Sequence, residues 1–228
     1  LVAVALPLSV LGYWLVRGIL AGQALAPLGR AAVSSVYVSG VAAVVALVAA
    51  LPVVMLSVRY RGWATALLER ASYVGFAIPG IVVALALVFF GARYATPLYQ
   101  TLALLVFAYT VLFLPTAVGA IQASLLQVSP SLEEAARSLG KTPFKAFVTI
   151  TLPLVRPGLA AAAGLVFLLT MKELPATLLL GPIGFKTLAT SIWSSVSEAV
   201  FARAAAPAIV LILVSSLSLA LMNLQERR

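Results

Sequence analysis

Neither cysteine nor histidine occurs among the 228 residues, and all six acidic side chains are glutamates, so aspartate is missing as well. These absences remove thiolate and imidazole metal sites, histidine acid–base chemistry and cysteine nucleophiles. Charge of any kind is scarce at 9% of residues, where a soluble domain carries about a quarter. Little is left from which to build an active site, and no enzymatic activity is expected of this chain. What is abundant is apolar: 63% of residues are hydrophobic and the mean hydropathy is +1.15, which marks an integral membrane protein. The net charge of +9 could signal nucleic acid, but in such a chain Lys and Arg collect on the cytoplasmic side, and no nucleic-acid partner is expected. The chain opens on Leu1 inside an apolar run, with no cleavable signal segment, and reads as a piece of a longer polypeptide.

A spanning helix needs about 20 mostly apolar residues. Six segments qualify: 1–20, 34–58, 73–92, 98–123, 154–174 and 204–224. Their runs are continuous rather than alternating, and only a helix satisfies its own backbone in lipid, so the fold class is all-α, a polytopic membrane protein with six transmembrane helices. Kinks are expected at Pro52, Pro79, Pro115 and Pro207. One set of connections holds Arg59, Arg61, Arg70, Arg137, Lys141, Lys145, Arg156, Arg227 and Arg228, and the other Arg17, Arg30, Arg93, Lys172, Lys186 and Arg203. Nine cations against six put the first set, both ends of the chain and the connection between the fourth and fifth spans in the cytoplasm. Residues 175–203 then lie outside, within a single transmembrane domain covering 1–228.

The connection at 131–157, SLEEAARSLGKTPFKAFVTITLPLVRP, is the one charged helical stretch too short to cross a membrane. Ser131 and Glu134 fit a capping box, which predicts a helix from Ser131 to a left-handed stop at Gly140. Leu132, Ala135, Ala136 and Leu139 form a narrow apolar stripe, and Glu133 is spaced to pair with Arg137. Thr142 as N-cap and Pro143 at N1 predict a second helix with Phe144, Phe147, Val148 and Thr151 on one face. This hairpin at 131–151 suits a partner surface, with Phe144 and Phe147 as anchors, or equally the surface of the lipid. Residues 135–142, AARSLGKT, match the loosest phosphate-binding loop, but they lie inside a capped helix rather than after a buried strand, so nucleotide binding is not expected here.

The second informative stretch is 171–207. Glu173 is an ionisable group near the end of a span, which either serves function or snorkels to the outer interface. Pro175 breaks the helix, Gly181-Pro182 and Gly184 turn the chain, and 187–199 reads as a short helix with Leu188, Ile192 and Val196 on one face. The segment can fold over a translocation path as an outer rim with Glu173, Pro175 and Trp193 as path or gate residues. Trp193 fits equally an interfacial helix.

Glu134-Ala135-Ala136, Gly140 and Ile150-Thr151-Leu152-Pro153, at their spacing, resemble the EAA loop of the inner-membrane permeases of binding-protein-dependent ABC importers with the type I fold. The resemblance implies that the hairpin is the coupling helix seated in a separate ATPase subunit, with Glu133, Glu134, Ala135, Ala136, Gly140, Phe144 and Phe147 as coupling residues. ATP and Mg would be bound by that subunit and no cofactor by this chain. It also implies an extracytoplasmic substrate-binding protein, a second permease half, surrounding lipid, and a bacterial or archaeal cytoplasmic membrane. K-E-L-P-A-T-L-L-L, G-F-x-T-L-A-T-x-I-W and F-A-R-A-A-A-P further resemble the C-terminal half of iron(III) permeases, in which two six-span halves are commonly fused; Lys186 stands where many relatives carry an acid. Iron(III) favours oxygen ligands, and this composition offers no high-affinity metal site, so selectivity is expected in the binding protein. Thiamine, phosphonate or polyamine importers, a secondary transporter and a non-transporting docking subunit remain as alternatives.

Overall fold

The computed structural model describes residues 2–22, 26–60 and 62–226. Leu1, Arg61, Arg227 and Arg228, used above, lie outside them. In chain order the helices are α1 (Val2–Leu20), α2 (Ala26–Arg59), α3 (Trp63–Ser72), α4 (Val74–Ala77), α5 (Gly80–Tyr94), α6 (Leu102–Leu125), α7 (Pro130–Ser138), α8 (Pro143–Ala146), α9 (Leu152–Leu154), α10 (Arg156–Met171), α11 (Pro175–Leu180), α12 (Leu188–Ser197) and α13 (Phe201–Glu226). Among the described residues no strand occurs, and four helices are long and apolar enough to span a membrane, or six spans if bent pairs are joined.

Helices α2, α6 and α10 form the centre. Their contact is built on small residues: Ala43, Ala46 and Ala50 of α2 meet Ala117 and Val118 of α6 and Ala162 and Val166 of α10, all buried. With no hydrophobic drive between helices in lipid, close backbone approach and van der Waals contact hold such a core. At Gly158 α10 crosses α6 so closely that a Cβ would lie 2.3 Å from the Ser124 Cβ. Helix α1 packs on α13, with Trp14 and Phe201 rings 5.7 Å apart.

Two spans differ from the sequence expectation, and both differ at prolines. The third, expected as one kinked helix over 73–92, is broken: Ile78 and Pro79 are extended, and the two arms bend by 104°. A residue before proline is pushed out of the α region, and Pro79 offers no N–H to continue the ladder. Here α4 leans on α6 so closely that a Cβ on Gly75 would come within 2.3 Å of the Val111 carbonyl oxygen. That carbonyl lies four residues before Pro115, so the helix supplies it no donor. The fifth, expected over 154–174, starts at Arg156 and leaves the helix after Met171. Pro175 then restarts it as α11, which packs beside α5 and α6. Ala176 and Leu180 are buried there with Leu104, Leu105 and Ala108.

Candidate functional site

The hairpin is assembled from local signals, with its first cap two residues earlier than expected. Pro130 takes N1 of α7 and Ser129 is the cap, its hydroxyl accepting from the Ser131 N–H at 3.3 Å. The expected Ser131–Glu134 capping box therefore does not form, because the proline fixes its own φ and lacks the N–H that a first-turn residue leaves idle. The expected stop does form. Gly140 has φ +87°, its N–H bonds Arg137 O at 3.0 Å, and the Lys141 N–H reaches Ala136 O at 3.1 Å, the paired bonds of a left-handed helix end. Thr142 caps α8, accepting from the Lys145 N–H at 3.3 Å, with Pro143 at N1 as expected.

Beyond α8 the helix widens into a π turn, Phe147–Thr151. A π turn carries more residues per revolution than an α turn, so positions four and seven apart no longer share a face. Phe144 is thus 74% exposed, while Phe147 is half-buried and Thr151 wholly buried. The expected single face of Phe144, Phe147, Val148 and Thr151 is split accordingly.

The same turn delivers the Thr151 hydroxyl to the Glu133 carboxylate, where it donates a short hydrogen bond. Arg59, at the end of α2, donates to the same carboxylate at 3.1 Å and to Val128 O at 3.3 Å. Glu133 therefore pairs with Arg59 and not with Arg137, as its spacing had suggested. A largely buried guanidinium near a carboxylate outcompetes an exposed pair four residues apart, whose gain is a few tenths of a kcal/mol. Glu133 thus anchors the hairpin. Glu134, Ala135, Leu139 and Phe144 are left exposed, and Ala136 is the buried point of the stripe.

Along α10 the chain runs about 24 Å from the hairpin to the second region. Glu173 sits in the break between α10 and α11. One carboxylate oxygen accepts from the Ala176 N–H at 3.1 Å, and a Cβ on Gly80 would lie 3.5 Å from that same oxygen and 3.8 Å from Leu112. Leu112 is near the middle of α6, so the break in the fifth span meets the break in the third at mid-height of a membrane-spanning helix. Thr177 extends the tie, bonding Glu173 O at 2.6 Å and the Tyr109 hydroxyl of α6 at 2.6 Å. Pro175 begins α11 beside Glu173. Trp193 is elsewhere: it is half-exposed on α12, which Thr187 and Thr190 cap reciprocally and which packs on α13 and α2. Sequence reasoning found Glu173 and missed Gly80 and Tyr109; only Pro79 hinted that the third span would bring Gly80 there.

Among the described residues no group of three or more metal-ligating side chains gathers. The pattern of the family described as binding-protein-dependent transport system inner membrane component matches residues 42–228. The Fe(3+)-transport system permease protein FbpB 2 of Haemophilus influenzae is 41% identical over 225 residues, covering 98% of this chain and 44% of that protein. A putative 2-aminoethylphosphonate transport system permease protein, PhnV of Salmonella typhimurium, is 30% identical over 169 residues, covering 74% of this chain and 62% of that protein. The chain therefore spans about half the length of the curated relatives it matches. In solved structures the same fold occurs in the MetNI methionine ABC transporter, captured in inward-facing conformations, at TM-score 0.67, 19% identity and coverage of 86% of this chain and 93% of that one. It occurs also in an amino acid ABC transporter crystallised with histidines, at TM-score 0.69, 21% identity and coverage of 92% and 97%. An all-helical chain of bent spans with a capped polar hairpin before α10, matched over residues 42–228, belongs to the binding-protein-dependent transport system inner membrane components.

Proposed function

We propose that this chain is a permease unit of an ATP-driven importer that moves iron(III), delivered by an extracytoplasmic binding protein, into the cytoplasm. The observation that carries the class is the anchored hairpin. Its rear is fastened to α2 through Arg59, Glu133 and Thr151, and its front presents Glu134, Leu139 and Phe144 to a partner. A docking surface needs both: a rigid base that transmits movement and an apolar anchor for a pocket. The choice of a partner over the lipid surface is supported by Glu134, Arg137, Lys141 and Lys145, which surround the apolar residues with mixed charge. ATP and Mg belong to the docked ATPase subunit, with no cofactor on this chain.

The cargo is supported by the 41% identity to an Fe(3+)-transport permease and by the K-E-L-P-A-T-L-L-L stretch around Glu173. The hairpin end of the bundle carries Arg59, Arg70, Arg137, Lys141, Lys145 and Arg156, which supports a cytoplasmic hairpin and cytoplasmic chain ends. The outer segment expected at 175–203 is shortened in this reading to a rim at 181–203 with Trp193 on it, because α11 is buried against α5 and α6. Glu173 and Pro175 then line the path. A second permease half, in the same polypeptide or as another copy, completes it. When the ATPase subunits close on ATP, the hairpin moves with one of them and the spans rock to face outward.

The test is ATPase activity of the full-length protein reconstituted with its ATPase subunit. Iron-loaded binding protein should stimulate it over empty binding protein. Stimulation by a phosphonate-loaded binding protein instead, the reading favoured by the 30% identity to PhnV, would keep the class and replace the cargo. No stimulation by any loaded binding protein would leave a docking subunit without transport.

A further inference from the structure

We infer that the Glu173 carboxylate is itself a transient ligand of the cargo cation, offered at mid-membrane where two broken spans meet. The inference rests on the iron(III) reading above and names the residue within the path. Its first support is depth. The Gly80 contact that links Glu173 to Leu112 places a formal negative charge beside the middle of α6, where such a group is costly and needs a function or a partner. Its second is the missing partner. Among the described residues no Lys or Arg lies within salt-bridge distance of Glu173, and the adjacent Lys172 is exposed and makes no ion pair with it. Elsewhere Glu133 is paired with Arg59, Glu198 with Arg203 at the surface, and Glu69 accepts from Gln122 Nε2 at 3.0 Å.

The third support is how the carboxylate is held. One oxygen accepts from the Ala176 N–H, which fixes the side chain across the break. Among the described residues the other has no hydrogen-bond partner, yet it is not sealed from solvent. Gly80 leaves open the space that any side chain would fill beside the first oxygen. Breaks in membrane helices at this depth are where transported ions meet protein oxygens. A single carboxylate oxygen suits a hard cation in kind and is too few for tight capture, and passage requires a site weak enough to leave.

The experiment compares Glu173→Gln, Glu173→Asp and Glu173→Ala in the full-length protein with its ATPase and binding protein, in proteoliposomes, reading iron taken up per ATP hydrolysed. Gln keeps an acceptor oxygen for the Ala176 N–H and loses the charge; Ala loses both. A cation ligand predicts that Gln and Ala lower the ratio alike, by about tenfold or more, while Asp retains most of it. A Gln variant that matches the wild type while Ala fails overturns the inference, since Glu173 would then only cap α11. An equal fall of uptake and hydrolysis that leaves the ratio unchanged overturns it too, by making the role conformational. If the wild type imports no iron while another loaded binding protein drives hydrolysis, the cargo reading itself has failed, and this inference with it.

Discussion

Arg59 and Glu133, 74 residues apart, meet at 3.1 Å and join the end of α2 to the hairpin. The pair is 10% and 22% exposed, so it is poorly screened, and the same carboxylate also holds Thr151 in the π turn. Charge-assisted bonds of this kind contribute about 1.5–3 kcal/mol. Arg59→Ala should destabilise the detergent-solubilised protein more than Glu133→Gln, because it also strips a donor pair from Val128 O. A double-mutant cycle on thermal unfolding should return a coupling of about 1 kcal/mol or more. Strict additivity would mean the two side chains do not sense each other. If the hairpin is the coupling element proposed above, loaded-binding-protein stimulation of the ATPase should fall in both variants, since its tie to α2 is lost.

Gly140 supplies a separable lesion at the same place. Its φ of +87° is disfavoured for any residue with a Cβ, yet a Cβ there would meet nothing within 4 Å. The penalty is therefore backbone strain alone, about 1–2 kcal/mol for an ordinary residue and greater for a β-branched one. Gly140→Asn should be tolerated, and Gly140→Val should insert and assemble yet lose stimulated ATPase activity. A valine variant that imports at the wild-type rate rules out the turn at Gly140 as part of the coupling element.

Much of this fold was written in short-range signals. The two apolar stretches at either end became α1 and α13, Thr142-Pro143 and Gly140 punctuated the hairpin where expected, and Thr187 capped α12. The capping box expected at Ser131 does not form because Ser129-Pro130 offers a competing start two residues earlier, and proline decides such contests through its fixed φ. The Glu133–Arg59 pair was invisible to a reading confined to one helix, since spacing reports only neighbours on the same surface. The meeting of Gly80 with Glu173 was likewise illegible. Pro79 and Pro175 each announced a break, but nothing in either segment states that the two breaks lie at one height; packing of α11 against α5 and α6 settles that.

The crossing of α10 over α6 makes a stability prediction independent of function. A Cβ on Gly158 would stand 2.3 Å from the Ser124 Cβ and 3.2 Å from Ala120 O, and neither helix backbone can yield cheaply in a core built of alanines. Overpacking of this sort costs about 1–3 kcal/mol. Gly158→Ala should lower the unfolding temperature, and Ser124→Gly in the same chain should restore part of the loss by removing the nearer obstacle. Rescue that is complete, or absent, would relocate the closest contact away from Ser124.

Phe144 separates docking from folding. At 74% exposure it buries little within this chain, in contrast to Ala146 and Thr151 of the same hairpin, which are buried. Surface truncations of this kind change stability by about 0.5 kcal/mol or less. A phenyl ring that fills a partner's pocket is another matter, since truncating such an anchor costs about 2 kcal/mol or more of binding. Phe144→Ala should accordingly unfold at the wild-type temperature while losing affinity for the ATPase subunit by a factor of about thirty, one factor of ten for each 1.4 kcal/mol. Affinity is best measured on the full-length permease in nanodiscs against the isolated ATPase subunit. Phe147→Ala is the matched contrast: its ring is half-buried, so its loss should appear in the unfolding temperature as well. Unchanged ATPase affinity in the Phe144 variant would return the hairpin to the lipid surface, where the same exposed ring would instead govern partitioning into bilayers.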